Sequence, residues 1–206
     1  MINRIYVIIA ILVVVVGVFI YFSERDVVVT NYPGSGTSII ALGDSLTAGV
    51  GATEGKDYVS RLNDKLGVLI INAGKSGDTT ETALLRLYDD VLIKKPKLVI
   101  VMLGGNDYLR KIPKEITFEN LDTIIKRIHS SGSMVLLVGV QGGIIGDPYK
   151  REFEALAEKH NTGYVSNILE NIVGHNDRMS DGIHPNDLGY DKIAVRLEPA
   201  VKKLLK

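Results

Sequence analysis

The chain has 206 residues, 46% of them apolar, which is enough to bury one good core once the first segment is set aside. Lys plus Arg number 24 and Asp plus Glu number 24, a balance that gives no reason to expect a nucleic-acid partner, which would need a basic face. Cysteine is absent, which excludes a disulfide framework, a thiolate metal site and a cysteine nucleophile.

Ile5 to Phe22 is an unbroken run of apolar residues and glycine. As a helix it spans ~27 Å, close to the ~30 Å hydrocarbon core of a bilayer, and it has no polar face. We expect it to enter the membrane as an uncleaved anchor. A cleaved signal peptide, giving a secreted protein, is the alternative, but no small-x-small site follows the run. Arg4 precedes it and the acidic Glu24-Arg25-Asp26 follows, so the positive-inside bias puts the rest of the chain outside the cytoplasm. Residues 1–26 are thus read as the anchor. Residues 27–37, rich in Asn, Pro, Gly, Ser and Thr, are read as a linker, and residues 38–206 as one domain.

From Ser38 onward, apolar runs alternate with helical patterns. The runs are Ser38 to Leu42, Val68 to Asn72, Leu98 to Leu103, Met134 to Val140 and, more weakly, Gly163 to Ser166. Asp78-Thr79-Thr80-Glu81 has the spacing of a capping box, followed at helical intervals by Ala83, Leu84, Leu87 and Val91. Leu121, Ile124, Ile125 and Ile128 repeat the pattern, and Phe153, Leu156 and Ala157 mark a third helix. Asp187 can cap a last one, in which Pro199 should cause a kink or a restart. Five strands alternating with helices imply an α/β domain, a five-stranded parallel sheet covered by helices on both faces.

The first apolar run ends in Gly43-Asp44-Ser45-Leu46, a small-residue turn holding a lone hydroxyl where ligands collect in such sheets. We read Ser45 as a nucleophile. After the second run comes Asn72-Ala73-Gly74-Lys75-Ser76-Gly77-Asp78, and after the third Gly104-Gly105-Asn106-Asp107. Both loops leave the same sheet edge, and their glycines let a backbone N–H approach a ligand. Near the carboxyl terminus stands Asp181-Gly182-Ile183-His184-Pro185. Its spacing lets the carboxylate hold one ring nitrogen of His184 while the other faces Ser45, which is what serine needs to act as a nucleophile. Asp44 and Asp107 are read as structural, and His129, His160 and His175 as bystanders at helix ends and in a loop. No cluster has metal-ligand spacing, so neither a metal nor another cofactor is expected.

These four blocks, in this order, resemble those of the SGNH hydrolases, the GDSL esterase and lipase family. The resemblance runs from Ile39 to the carboxyl terminus, and within the family the chain looks most like the small bacterial acyl-CoA thioesterase, lysophospholipase and arylesterase group. It implies a flavodoxin-like three-layer α/β/α fold and a serine ester hydrolase acting through an acyl-enzyme on Ser45. His184 would be the base and Asp181 its orienting acid. The oxyanion hole would be formed by the Ser45 amide, Gly77 and Asn106, with Gly74 as the rival for the glycine role. Tyr108 and the apolar loop residues Ile144 and Ile145 are expected to wall the cleft for a small acyl ester or lipid. The rival activity is a carbohydrate or peptidoglycan O-acetyl esterase. The rival from another class is a catalytically silent, membrane-tethered binding protein.

Overall fold

The computed structural model describes residues 28–140 and 149–206, together with Tyr6 and Ile9. Five strands, β1 (Ser38–Gly43), β2 (Ile70–Gly74), β3 (Pro96–Met102), β4 (Met134–Val138) and β5 (Gly163–Val165), form one sheet. Its order is β2-β1-β3-β4-β5, and every pairing is parallel.

Strict alternation along the strands decides which side chain goes to which layer. Ile39, Ala41, Leu98, Ile100, Met102, Met134, Leu136 and Val138 point to one face. They meet α2 (Tyr58–Leu66) through Tyr58 and Leu62, and α8 (Asp187–Leu204) through Tyr190, Ile193 and Leu197. Ile40, Leu42, Val99, Val101, Val135 and Leu137 point to the other. There they are covered by α3 (Thr80–Leu85), α4 (Leu87–Asp90), α6 (Lys114–Ser130) and α7 (Lys150–His160). Slipping any one strand by a single residue would exchange its two sets of side chains, so both layers fix the register. The result is the expected three-layer α/β arrangement.

Several boundaries differ from the sequence reading, each for a local reason. β2 starts at Ile70, not Val68, because it is an edge strand whose only neighbour, β1, offers Ile39 as the first partner of Ile70. The cap of α3 is Thr79, paired with Thr82, because Asp78 is drawn away to Arg86. The cap of α8 is Asn186, whose side chain accepts from the Leu188 and Gly189 amides, while Asp187 accepts instead from the Thr53 amide. That helix carries Pro199 without restarting.

Strand order reverses at β1. The chain moves from β1 to β2 on one side, then crosses to β3 on the other, leaving a crevice at the carboxyl ends of β1 and β3 where ligands bind in sheets of this kind. The opposite edge is closed by residues 28–37, which are bonded along the base of the sheet. The Thr30 amide donates to Asn161 O, Asn31 Nδ2 to the His129 and Ser133 carbonyls, the Ser35 amide to Gly132 O, and the Thr37 amide to Lys95 O. Gly34 and Gly36 lie so flat on the start of β3 that a Cβ on either would come within 2.0 to 2.2 Å of the Lys97 or Lys95 carbonyl. Almost all of Ile5 to Phe22 lies outside the described residues. Among those described, no helix is long and apolar enough to cross a membrane.

Candidate active site

Ser45 is the first residue of a one-turn helix, α1 (Ser45–Ala48), that starts where β1 stops. Asp44 caps it by accepting from the Leu46 amide at 2.9 Å, and Gly49, at φ 84°, closes it. The turn is pinned from below by two contacts, the buried one of Thr47 Oγ1 with Tyr58 OH at 2.9 Å and the partly buried one of Tyr190 OH donating to Val50 O at 2.8 Å. The Ser45 amide therefore heads a helix, where it has no partner within that helix.

The structure brings His184 to this serine across 139 positions of sequence, with Nε2 lying 3.1 Å from Ser45 Oγ. Nδ1 of the same ring lies 2.8 Å from Asp181 Oδ2. The other carboxylate oxygen accepts from the Ile183 amide at 2.8 Å and the His184 amide at 2.7 Å, so one aspartate fixes both the ring and the backbone that carries it. Those bonds, led by the one to the imidazole, hold the Asp181 carboxyl down at about 2. It stays an acceptor, and keeps the imidazole oriented, until the pH falls through that value. The loop is closed behind it by an antiparallel bridge between Met179 and Pro185 and by the Ser180 amide donating to His184 O.

Asn106 is carried by α5 (Gly105–Leu109), directly after β3. Its Nδ2 donates to Asp78 O at 2.9 Å and sits 3.4 Å from Asp44 Oδ2, which aims the amide group along the floor of the crevice. The two glycines of the second loop part company here. Gly74 closes β2 with its amide donated to Asn72 Oδ1, and a Cβ there would lie 2.2 Å from the Ala48 amide nitrogen, so its role is close packing. Gly77 lines the cavity beside Ser45 and adopts φ 83°, a conformation that favours glycine. Its carbonyl accepts from Arg110 Nη2 at 2.8 Å.

Asp44 and Asp107 are structural, as read from the sequence. Asp107 is fully buried and accepts from the Thr80 amide and hydroxyl, tying α3 to α5. Asp44 is 2% exposed, and burial pushes its carboxyl up to about 6 against the opposing pull of the Leu46 amide. A carboxyl raised in the folded state stabilises it fully below the unfolded value of 3.8, and that contribution is lost as pH rises through about 6. Asp44→Asn keeps an oxygen for the Leu46 amide and should remove this loss, on the order of 3 kcal/mol. Denaturant melts from pH 4 to 8 should show a flatter stability profile for the variant.

The crevice opens into a cavity of about 730 Å³ that holds Ser45, His184, Gly77 and Asn106 at one end. Its walls are apolar: Leu46, Tyr108, Leu109, Val140, Leu169, Val173 and Ile183. Tyr108 stands where the sequence reading put it, whereas Ile144 and Ile145 lie outside the described residues. Val140, Leu169 and Val173 were missed. For the last two a signal existed, since Ile168, Leu169, Ile172 and Val173 form two apolar pairs at a spacing of four, one pair buried in the core and the other turned to the cavity. His160 bonds Asp122 Oδ1 through Nε2, His129 lies half-buried beside it, and His175 is exposed, so none of the three enters the site. Among the described residues no group of His, Asp and Glu is arranged to hold a metal.

A parallel sheet carrying a serine, an imidazole and a carboxylate in line at its carboxyl edge, next to an apolar cavity, defines a serine ester hydrolase of SGNH type. The chain belongs to the GDSL-like lipase/acylhydrolase family, whose model matches residues 41–192. It is 31% identical to the esterase TesA of Pseudomonas aeruginosa over 82% of this chain and 89% of that one. It is 30% identical to thioesterase 1/protease 1/lysophospholipase L1 of Escherichia coli over 85% of this chain and 90% of the other. A crystal structure of TesA superimposes with a TM-score of 0.77 at 30% identity, covering 82% of this chain and 99% of that chain.

Proposed function

We propose that the enzyme hydrolyses carboxylic esters or thioesters of apolar acyl groups through an acyl-enzyme on Ser45. Oγ attacks the acyl carbonyl while His184 Nε2 takes its proton, and Asp181 stabilises the imidazolium that forms. The carbonyl oxygen, now anionic, is held by the Ser45 and Gly77 amides and the Asn106 side chain. As the bond to the leaving group breaks, His184 returns the proton to the departing alcohol or thiol. Water then gives a proton to His184 and attacks the acyl-enzyme, and the acid leaves as Ser45 recovers its hydrogen. The observation that carries this reading is the line from Ser45 Oγ through the His184 ring to Asp181, at 3.1 and 2.8 Å, opening on a cavity with apolar walls. Relatives named as an esterase and as a thioesterase/lysophospholipase support the same acyl chemistry.

The reading extends to location. Residues 5–22 anchor the chain in a membrane with the catalytic domain outside the cytoplasm, facing a periplasm or the cell surface. Tyr6 and Ile9 support it, since both are helical and exposed instead of packed on the domain. The catalytic reading is tested with p-nitrophenyl acetate, butyrate and octanoate on the full-length chain in detergent, beside Ser45→Ala. We expect hydrolysis that rises from acetyl to the longer chains and vanishes in the variant. A marked acetyl preference would favour the carbohydrate O-acetyl esterase. Hydrolysis that survives in Ser45→Ala would overturn the assignment.

A further inference from the structure

The two ends of the domain are built for different things. Every residue of the cavity described above lies at the carboxyl ends of the strands or in the loops and short helices that follow them. The chain enters the domain at the other edge, and it does so firmly. Beyond the five backbone and asparagine bonds already given, Thr30 Oγ1 donates to His160 O and Ser38 Oγ, at the start of β1, to Lys94 O, so this end of the chain holds the ends of α7 and α6 and the turn before β3 together. Between the last apolar residue of the anchor, Phe22, and the first described residue of the strap, Val28, stand residues 23 to 27.

Reach then becomes a matter of chain geometry. Five residues between two fixed ends span at most about 20 Å even when fully extended. A domain of this size is about 40 Å across, and β1 alone puts ~20 Å between the strap and Ser45. Turning the cleft down onto the bilayer would require the strap to rise by about the full diameter, twice what the linker allows. Even with the domain lying on its side, the mouth stands about half a diameter, ~20 Å, above the membrane surface. That exceeds what an acyl ester can bridge without leaving the bilayer.

We propose that the tether holds the cleft away from its own membrane, so that the enzyme acts on acyl esters arriving from the aqueous side and not on lipids of the bilayer that anchors it. This rests on reading residues 5–22 as an anchor and Ser45 as the nucleophile. It also reverses the simplest expectation for an anchored lipase-like enzyme, that tethering concentrates the cleft on lipid. Anchoring would instead retain the enzyme at the cell boundary while leaving the cleft to sample what passes or is fixed outside.

The experiment uses the full-length chain in phosphatidylcholine vesicles, beside a variant with about twenty Gly and Ser residues inserted between Ser23 and Glu24, long enough to let the domain roll over. Two substrates are compared. One is p-nitrophenyl butyrate in solution, and the other is a two-chain lipid bearing a fluorogenic butyrate ester on its headgroup, of a kind first selected as one that the wild type cleaves in mixed detergent micelles. We expect equal rates on the soluble ester and, on the lipid in the enzyme's own vesicle, a rate about ten-fold or more higher for the long-linker variant. Equal rates on the vesicle-borne lipid would overturn the proposal. Flotation of the vesicles separates the causes: protein that stays behind refutes the anchor and this inference with it. Soluble-ester hydrolysis that persists in Ser45→Ala refutes the catalytic assignment instead.

Discussion

His184→Ala should lower turnover by about 10⁶-fold, because nucleophile and base act as one unit and neither retains much value alone. The ring makes no contact that the fold depends on: Nε2 faces Ser45, Nδ1 faces Asp181, and the loop is closed by backbone bonds that alanine keeps. The melting temperature should therefore hardly move while single-turnover acylation disappears. Asp181→Ala should cost less, on the order of 10⁴-fold. More than half of that side chain is exposed, so water can partly replace it behind the imidazole. Asn106→Ala should lose about 10²- to 10³-fold, in kcat and not in KM, as expected for a donor that acts on the developing oxyanion. A ranking in which Asn106→Ala hurt more than His184→Ala would contradict the proposed roles.

The four blocks that carry this chemistry were legible because each packs its requirement into a few adjacent residues. An aspartate three positions before a histidine, or a serine straight after a buried strand, needs no distant partner to be noticed. What stayed hidden depends on groups that sequence does not label. Residues 27–37 read as a linker because their composition is that of one, yet from Thr30 onward their amides and hydroxyls find the carbonyls left over at the ends of α6 and α7. The cap of α3 was placed one residue early because nothing local reveals that Asp78 is claimed by Arg86, eight positions on. Arg86 itself attracted no notice, since two of its partners are backbone carbonyls from separate strands.

Arg86→Ala should be among the most damaging single substitutions for stability, costing about 3–5 kcal/mol. Its guanidinium donates through Nε to Asp78 Oδ2 at 2.6 Å, through Nη1 to Asp90 Oδ2 at 2.8 Å, and through Nη2 to Gly43 O at 3.1 Å and Ala73 O at 2.9 Å. One planar fork thus joins the ends of β1 and β2 to the loop of Gly77. Asp78 is only 4% exposed, so removing the cation strands a buried carboxylate that, among the described residues, keeps the Thr82 hydroxyl alone, and it deprives two carbonyls of a donor. Against a total of ~5–15 kcal/mol for a domain, that is a fifth or more. Urea unfolding should show a lower midpoint at unchanged slope. Arg86→Lys should recover only part of the loss, because an ammonium cannot reach all four oxygens at once. Turnover by the folded fraction of Arg86→Ala should also fall, since Asp78 O is what aims the Asn106 amide.

The segment that carries His184 is the thinnest part of the site. Asp181 and Ile183 are exposed, and nothing stands within 4 Å of where a Cβ on Gly182 would be, so little burial holds the loop against the domain. Such a segment opens far more often than the sheet beneath it melts. The useful lifetime of the enzyme on warming is then set by fraying of this one hairpin-like turn, and inactivation should run ahead of unfolding. Thermal tolerance would be gained there, at the rim, and not by further filling of a core that is already closed on both sides of the sheet.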